Sequence, residues 1–93
     1  MTVKRLRITG VVQGVGYRAW FGAEARSLGL SGWVRNRFDG SVEAIVSGEP
    51  EAIGQIMEKA RRGPPAARVS DVSATDDDGS SAVKGKFEQL PTA

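Results

Sequence analysis

The chain has 93 residues, 26 % of them charged, and a formal net charge of +2. That length supports one hydrophobic core and excludes a full dinucleotide-binding enzyme. Cysteine and histidine are both absent, which excludes disulfides, thiolate nucleophiles, phosphohistidine intermediates, histidine-based triads and imidazole metal sites.

The first residues, MTVKRLRITG, hold no apolar targeting or anchoring run, so a cytoplasmic protein with no membrane contact is expected. From Val3 to Val12 the first half alternates, Leu6 and Ile8 on one face and Arg5 and Arg7 on the other, as a half-buried strand does. The stretch Gly10-Val11-Val12-Gln13-Gly14-Val15-Gly16 follows as a glycine-rich loop. Arg18 to Leu28 reads as a helix with Phe21, Ala25 and Leu28 inward; Gly22 weakens it and Gly29 ends it. Gly32 to Arg37 and Ser41 to Ser47 are two more strands, joined by an Asp39-Gly40 hairpin turn. Pro50 and its flanking glutamates open a second helix with the stripe Ile53, Ile56, Met57 and Ala60, which Gly63-Pro64-Pro65 stops. Arg68 to Ala74 alternates around Val69 and Val72, an acidic serine-rich loop spans 75–81, and a short strand from Val83 to Leu90 ends the pattern.

This order predicts a single α+β domain over residues 1–93. Its fold is a ferredoxin-like β-α-β-β-α-β plait, with a four-to-five-stranded antiparallel sheet and two helices on one face. Gly14-x-Gly16-x-x-Ala19 matches a dinucleotide-binding fingerprint in letters only. The acidic residue such a fold needs about twenty positions on is replaced by Trp33-Val34-Arg35-Asn36-Arg37. Asp76-Asp77-Asp78-Gly79-Ser80 has the shape of a phosphate-accepting or calcium loop, but calcium spacing puts Ala74 at the first ligand position. A solvated turn fits it better. Tyr17, Trp20, Trp33 and Phe38 could stack on bases, but the third strand, SVEAIVS, carries no aromatic. Packing roles are expected, with no nucleic acid as partner.

The glycine loop is different. Glycines allow successive N–H groups to converge as an anion nest, and the helix that follows adds its positive end. Arg18 brings a planar fork of donors to the same place. A tight turn with a surface arginine fits the loop equally well on its own. In the plait, however, the first two strands run parallel, so Asn36, near the end of the second, lies on the loop's edge of the sheet. An uncharged amide, both donor and acceptor, then stands beside the nest.

Gly10-Val11-Val12-Gln13-Gly14-Val15-Gly16-Tyr17-Arg18, followed by Gly32-Trp33-Val34-Arg35-Asn36 and Gly40-Ser41-Val42, resembles the two signatures of the acylphosphatases. The resemblance covers nearly the whole chain and is firmest from Ile8 to Pro65; the acidic loop and the Pro91-Thr92-Ala93 tail are least alike. It implies an enzyme that hydrolyses the carboxyl-phosphate bond of acyl phosphates. By that analogy Arg18 and Asn36 are the catalytic residues, Arg18 binding the phosphoryl group and Asn36 holding the attacking water; the loop Gln13, Gly14, Val15, Gly16, Tyr17 and Arg18 is expected to bind phosphate. No metal and no cofactor are expected. The expected partner is a small-molecule acyl phosphate or inorganic anion, met by a monomer. A non-catalytic anion-binding or regulatory module of the same fold is the alternative.

Overall fold

The alternation around Leu6 and Ile8 becomes strand β1, Thr2–Val11, in the computed structural model, which describes all of Met1 to Ala93. Helix α1 (Tyr17–Ser27), strands β2 (Ser31–Asn36) and β3 (Val42–Gly48), helix α2 (Pro50–Arg62) and strands β4 (Arg68–Asp76) and β5 (Phe87–Gln89) follow. The sheet order is β4-β1-β3-β2-β5. Because β3 pairs antiparallel with both β1 and β2, those two strands run parallel and end at one edge of the sheet.

One expectation needs correcting. The sheet is mixed, because β5 lies parallel to β2. The connection from β4 to β5 must therefore cross from one sheet edge to the other. It does so at the end opposite the glycine loop. The Asp77 N–H bonds to the Val3 carbonyl, Ser81 accepts from the Trp33 indole at 3.1 Å, and the Gly85 N–H reaches Ser31 Oγ at 2.9 Å. Asp77 and Asp78 each accept from a main-chain N–H two residues on, so the acidic cluster is a pair of local turns. Only Phe87–Gln89 of the expected last strand is ladder-paired.

Both helices cover one face. Leu6, Ile8, Val34, Val42, Ala44 and Val46 rise from the sheet to meet Phe21, Ala25, Ile53, Ile56 and Ala60, all buried. Each larger side chain contributes roughly 1.5–3 kcal/mol by leaving water. Leu28 and Met57 lie half-buried at the margins of this core. Gly22 has a structural reason: the Arg26 guanidinium lies 3.3 Å from where its Cβ would be and donates to the Phe87 carbonyl at 2.9 Å, tying α1 to β5. Trp33 faces the other side of the sheet, with Arg35 stacked 4.6 Å from its ring centroid. There Glu43 accepts from Arg5, Arg35 and Arg37. No helix is long and apolar enough to cross a membrane.

The β2–β3 turn is built around Asp39. Its carboxylate accepts from the Ser41 N–H at 2.9 Å and Ser41 Oγ at 2.6 Å, and pairs with Arg7 at 3.1 Å. These bonds, those from Ser41 first, hold the carboxyl well below its ordinary value. A depressed carboxylate contributes stability above its unfolded pKa and loses it as pH falls. Asp39→Ala should therefore melt below wild type at pH 7. The gap in Tm should narrow as the pH is lowered from about 4 to 2; a gap unchanged down to pH 2 would mean that something else holds the turn.

Two glycines give opposite expectations. Gly32 has φ 134°, and a Cβ there would stand 1.8 Å from the Ile45 carbonyl oxygen of the neighbouring strand. Gly32→Ala should cost about 2–4 kcal/mol, a fall in Tm of at least about 10 °C. Gly54 lies inside α2 with nothing within 4 Å of its would-be Cβ, so Gly54→Ala should raise stability by about 0.5–1 kcal/mol. Thermal melts of the two variants check both signs.

Candidate active site

Between β1 and α1 the chain turns at Gly14, φ 74°, and Gly16, φ 79° and ψ 16°, while Val15 between them keeps a negative φ. Alternating signs of this kind swing successive N–H groups toward one point. The N–H groups of Gly14 through Ala19 bond to no backbone carbonyl; the first engaged donor is Trp20, to the Gly16 carbonyl at 3.1 Å. A Ser, Thr, Asp or Asn at the N-cap commonly satisfies one of these orphans. Here Gly16 is the N-cap, no side chain caps, and the first turn has no acidic residue. The positive end of α1 is thus left open.

Arg18 extends from that first turn. It is half-buried, makes no salt bridge, and touches the Leu90 carbonyl with Nη1 at 3.4 Å. Seven ion pairs elsewhere use other cations, so the charge of Arg18 stays uncompensated. Asn36 closes β2 on the helix side, two residues after the core residue Val34. Its Oδ1 is the one buried side-chain polar atom with no hydrogen-bond partner. An orphaned acceptor of this kind costs about 1–3 kcal/mol.

Arg18 and Asn36 border one cavity of about 140 Å³, together with Gly14, Gly16, Ala19 and Gln89. That is far above the ~10–15 Å³ a single water requires and suits a phosphate-sized anion with water beside it. A larger shallow cleft of about 480 Å³ at the far end of α1 holds Arg26, but that guanidinium is committed to the Phe87 carbonyl.

The expected phosphate-binding segment divides in its duties. Gly14, Gly16, Tyr17 and Arg18 line the cavity. Val15 packs against the core. Tyr17 buries its ring beside Phe21, with centroids 6.1 Å apart, and gives its hydroxyl to the Ala60 carbonyl at 2.8 Å. Burial pushes that phenol well above its ordinary pKa, so it is a pin joining the start of α1 to α2. Gln13 spends its amide nitrogen on the carbonyls of Arg37 and Ser41, at 2.7 and 2.8 Å. Gln89 is the polar cavity residue that sequence reasoning missed. Its spacing from Phe87 puts it on the helix side, but only once β5 is known to lie beside β2.

The family model described as acylphosphatase matches residues 4–88. An acylphosphatase of Acidiphilium cryptum is 49% identical over 75 residues, covering 81% of this chain and 82% of its own. That of an Azoarcus species is 48% identical over 97 residues, covering 99% of this chain and 92% of its own. The crystal structure of acylphosphatase from Bacillus subtilis superposes with a TM-score of 0.90 at 34% identity, over 97% of this chain and 99% of that one.

Proposed function

The chain belongs to the acylphosphatase family and is an enzyme of that kind; from that premise we propose that the Gly14–Arg18 loop binds the phosphoryl group of an acyl phosphate while Asn36 positions the attacking water. The observation that carries this reading is the shared cavity of the unpaired loop N–H groups, the uncompensated Arg18 and the unsatisfied Asn36.

The substrate brings a phosphoryl group with negative oxygens. Loop N–H groups and the α1 terminus meet those oxygens, and the guanidinium grips them in a planar fork. Charge on the equatorial oxygens in the transition state is met by donors already in place, with no reorganisation. The leaving group is a carboxylate of low pKa, so it departs without a general acid. In a loose, metaphosphate-like transition state the water has bonded little, so it needs no strong base. Its proton passes to a phosphate oxygen of the substrate. A chain without histidine or cysteine can run this reaction because positioning and charge stabilisation carry the rate.

Asn36 suits the water for a specific reason. A carboxylate in its place would repel the phosphoryl group, whereas an amide is neutral and both accepts and donates. A half-turn about its last torsion exchanges oxygen and nitrogen, so the acceptor that is buried in one setting can turn to a water proton in the other. Every group in the scheme comes from one chain, so a single copy suffices.

Turnover of benzoyl phosphate, with inorganic phosphate as a competitive inhibitor, tests the roles. Arg18→Gln should lower kcat/KM by about a hundred- to a thousandfold and weaken phosphate inhibition. Asn36→Ala should lower kcat by a similar factor of about a hundred or more while phosphate inhibition is kept. Near-wild-type kcat in Asn36→Ala would remove the water-positioning role. A wild-type chain that binds phosphate but turns over no acyl phosphate would leave the anion-binding module.

A further inference from the structure

We propose that Gln13 is a positioning residue, whose side-chain amide locks the phosphate loop to the β2–β3 hairpin and so sets the separation between the loop N–H groups and Asn36. The proposal rests on the reading of the site given above. The two functional parts lie on different elements, and the strand ladder does not reach between them. β3 starts at Val42, where it pairs with both Asn36 and Ile8. Beyond Ile8, β1 pairs on the β4 side alone, and there its register shifts at Thr9/Gly10. The loop therefore leaves the sheet with no main-chain rung toward β2.

Gln13 supplies the missing link. Its one NH₂ group has two hydrogens and meets two acceptors, the Arg37 carbonyl at 2.7 Å and the Ser41 carbonyl at 2.8 Å. Those carbonyls flank the turn, and the Arg37 N–H closes it onto the Ser41 carbonyl at 2.8 Å. Gln13 precedes Gly14 in the chain and Arg37 follows Asn36. A single side chain thus joins the residue next to the nest with the residue next to the water-holding amide. Glutamate at this position would set a carboxylate against two carbonyl oxygens, and methionine would fill the space without donating.

The nest itself is local, made by two glycine dihedrals and a helix end. Removing the tether should leave phosphate binding in place and spoil the distance to the water, because misplacement of about 1 Å can cost about a hundredfold in rate. The experiment is a double-mutant cycle on the full chain, with benzoyl phosphate as substrate and inorganic phosphate as inhibitor. Gln13→Met should lower kcat by about ten- to a hundredfold and change the phosphate inhibition constant by less than about threefold. In an Asn36→Ala background, the same change should lower kcat by no more than about twofold, since the distance it governs has lost its purpose. Parallel losses of kcat and phosphate affinity, or full additivity with Asn36→Ala, would overturn the proposal. The Asn36→Ala corner of the cycle judges the underlying reading alone: wild-type turnover there removes the water role whatever Gln13 does. If Gln13→Met gives no cooperative melt, Gln13→Asn keeps an amide on a shorter reach; it should show the same split with a smaller fall in kcat, and parallel losses in it overturn the proposal equally.

Discussion

Everything at this site depends on a set of main-chain N–H groups left without partners at the start of one helix. A buried or half-buried orphan donor is normally a liability, and a capping side chain commonly relieves part of it. Here the cap position is a glycine and no acid stands in the first turn. The chain thus forgoes a cap generally worth about 0.5–2 kcal/mol and leaves the positive helix end open. The same choice is repeated at Arg18, which no carboxylate neutralises, and at Asn36, whose buried oxygen has no donor. Three unsatisfied groups on residues that border one small cavity are a shared deficit, which is what the proposed binding of a phosphoryl group with its water would relieve.

Such a deficit is useful only if the groups cannot relax toward each other. The fold prevents this with bonds that never touch the cavity contents. Tyr17 sinks its ring into the core and its hydroxyl onto the last turn of α2. Gln13 straps the loop to the hairpin, and Asp39 in turn fixes that hairpin's turn. On the far side of Asn36, the Ala93 N–H bonds to the Asn36 carbonyl at 3.0 Å, so β2 is held from both edges at its last residue. The parallel course of β1 and β2, forced by their common partner β3, brings loop and amide to one edge to begin with.

Much of this was legible in the sequence, and for physical reasons. Strand alternation at Leu6 and Ile8 and the helical stripe of Ile53, Ile56 and Ala60 are local periodicities with one buried face. The convergence of Arg18 and Asn36 followed from strand order alone. What escaped was pairing at long range. The place of β5 beside β2, and with it Gln89 in the cavity wall, depends on how the 77–86 connection crosses the sheet, which no short window encodes. The duty of Gln13 escaped for a different reason. A glutamine beside a phosphate loop has donors enough for phosphate, and only coordinates reveal that both amide hydrogens are already spent.

That division of labour also explains why so small a chain can carry an enzyme. With 93 residues there is one core and little material to position a catalytic side chain through a separate supporting layer. Main-chain donors ease the problem, because two glycine dihedrals and a helix end set their directions and only Gln13 and Tyr17 are needed to hold the loop in place. Arg18 needs only one further contact, at the Leu90 carbonyl, and Asn36 sits on a strand end clamped by its neighbours. A general acid or base would demand more: a titrating group held near neutral pKa by burial and by neighbouring charges, in a domain with few buried positions to give. A reaction whose leaving group departs as a carboxylate makes no such demand. The economy of the fold and the ease of the chemistry are therefore one condition seen from two sides, and a substrate with a poor leaving group should lie beyond what this scaffold can accelerate.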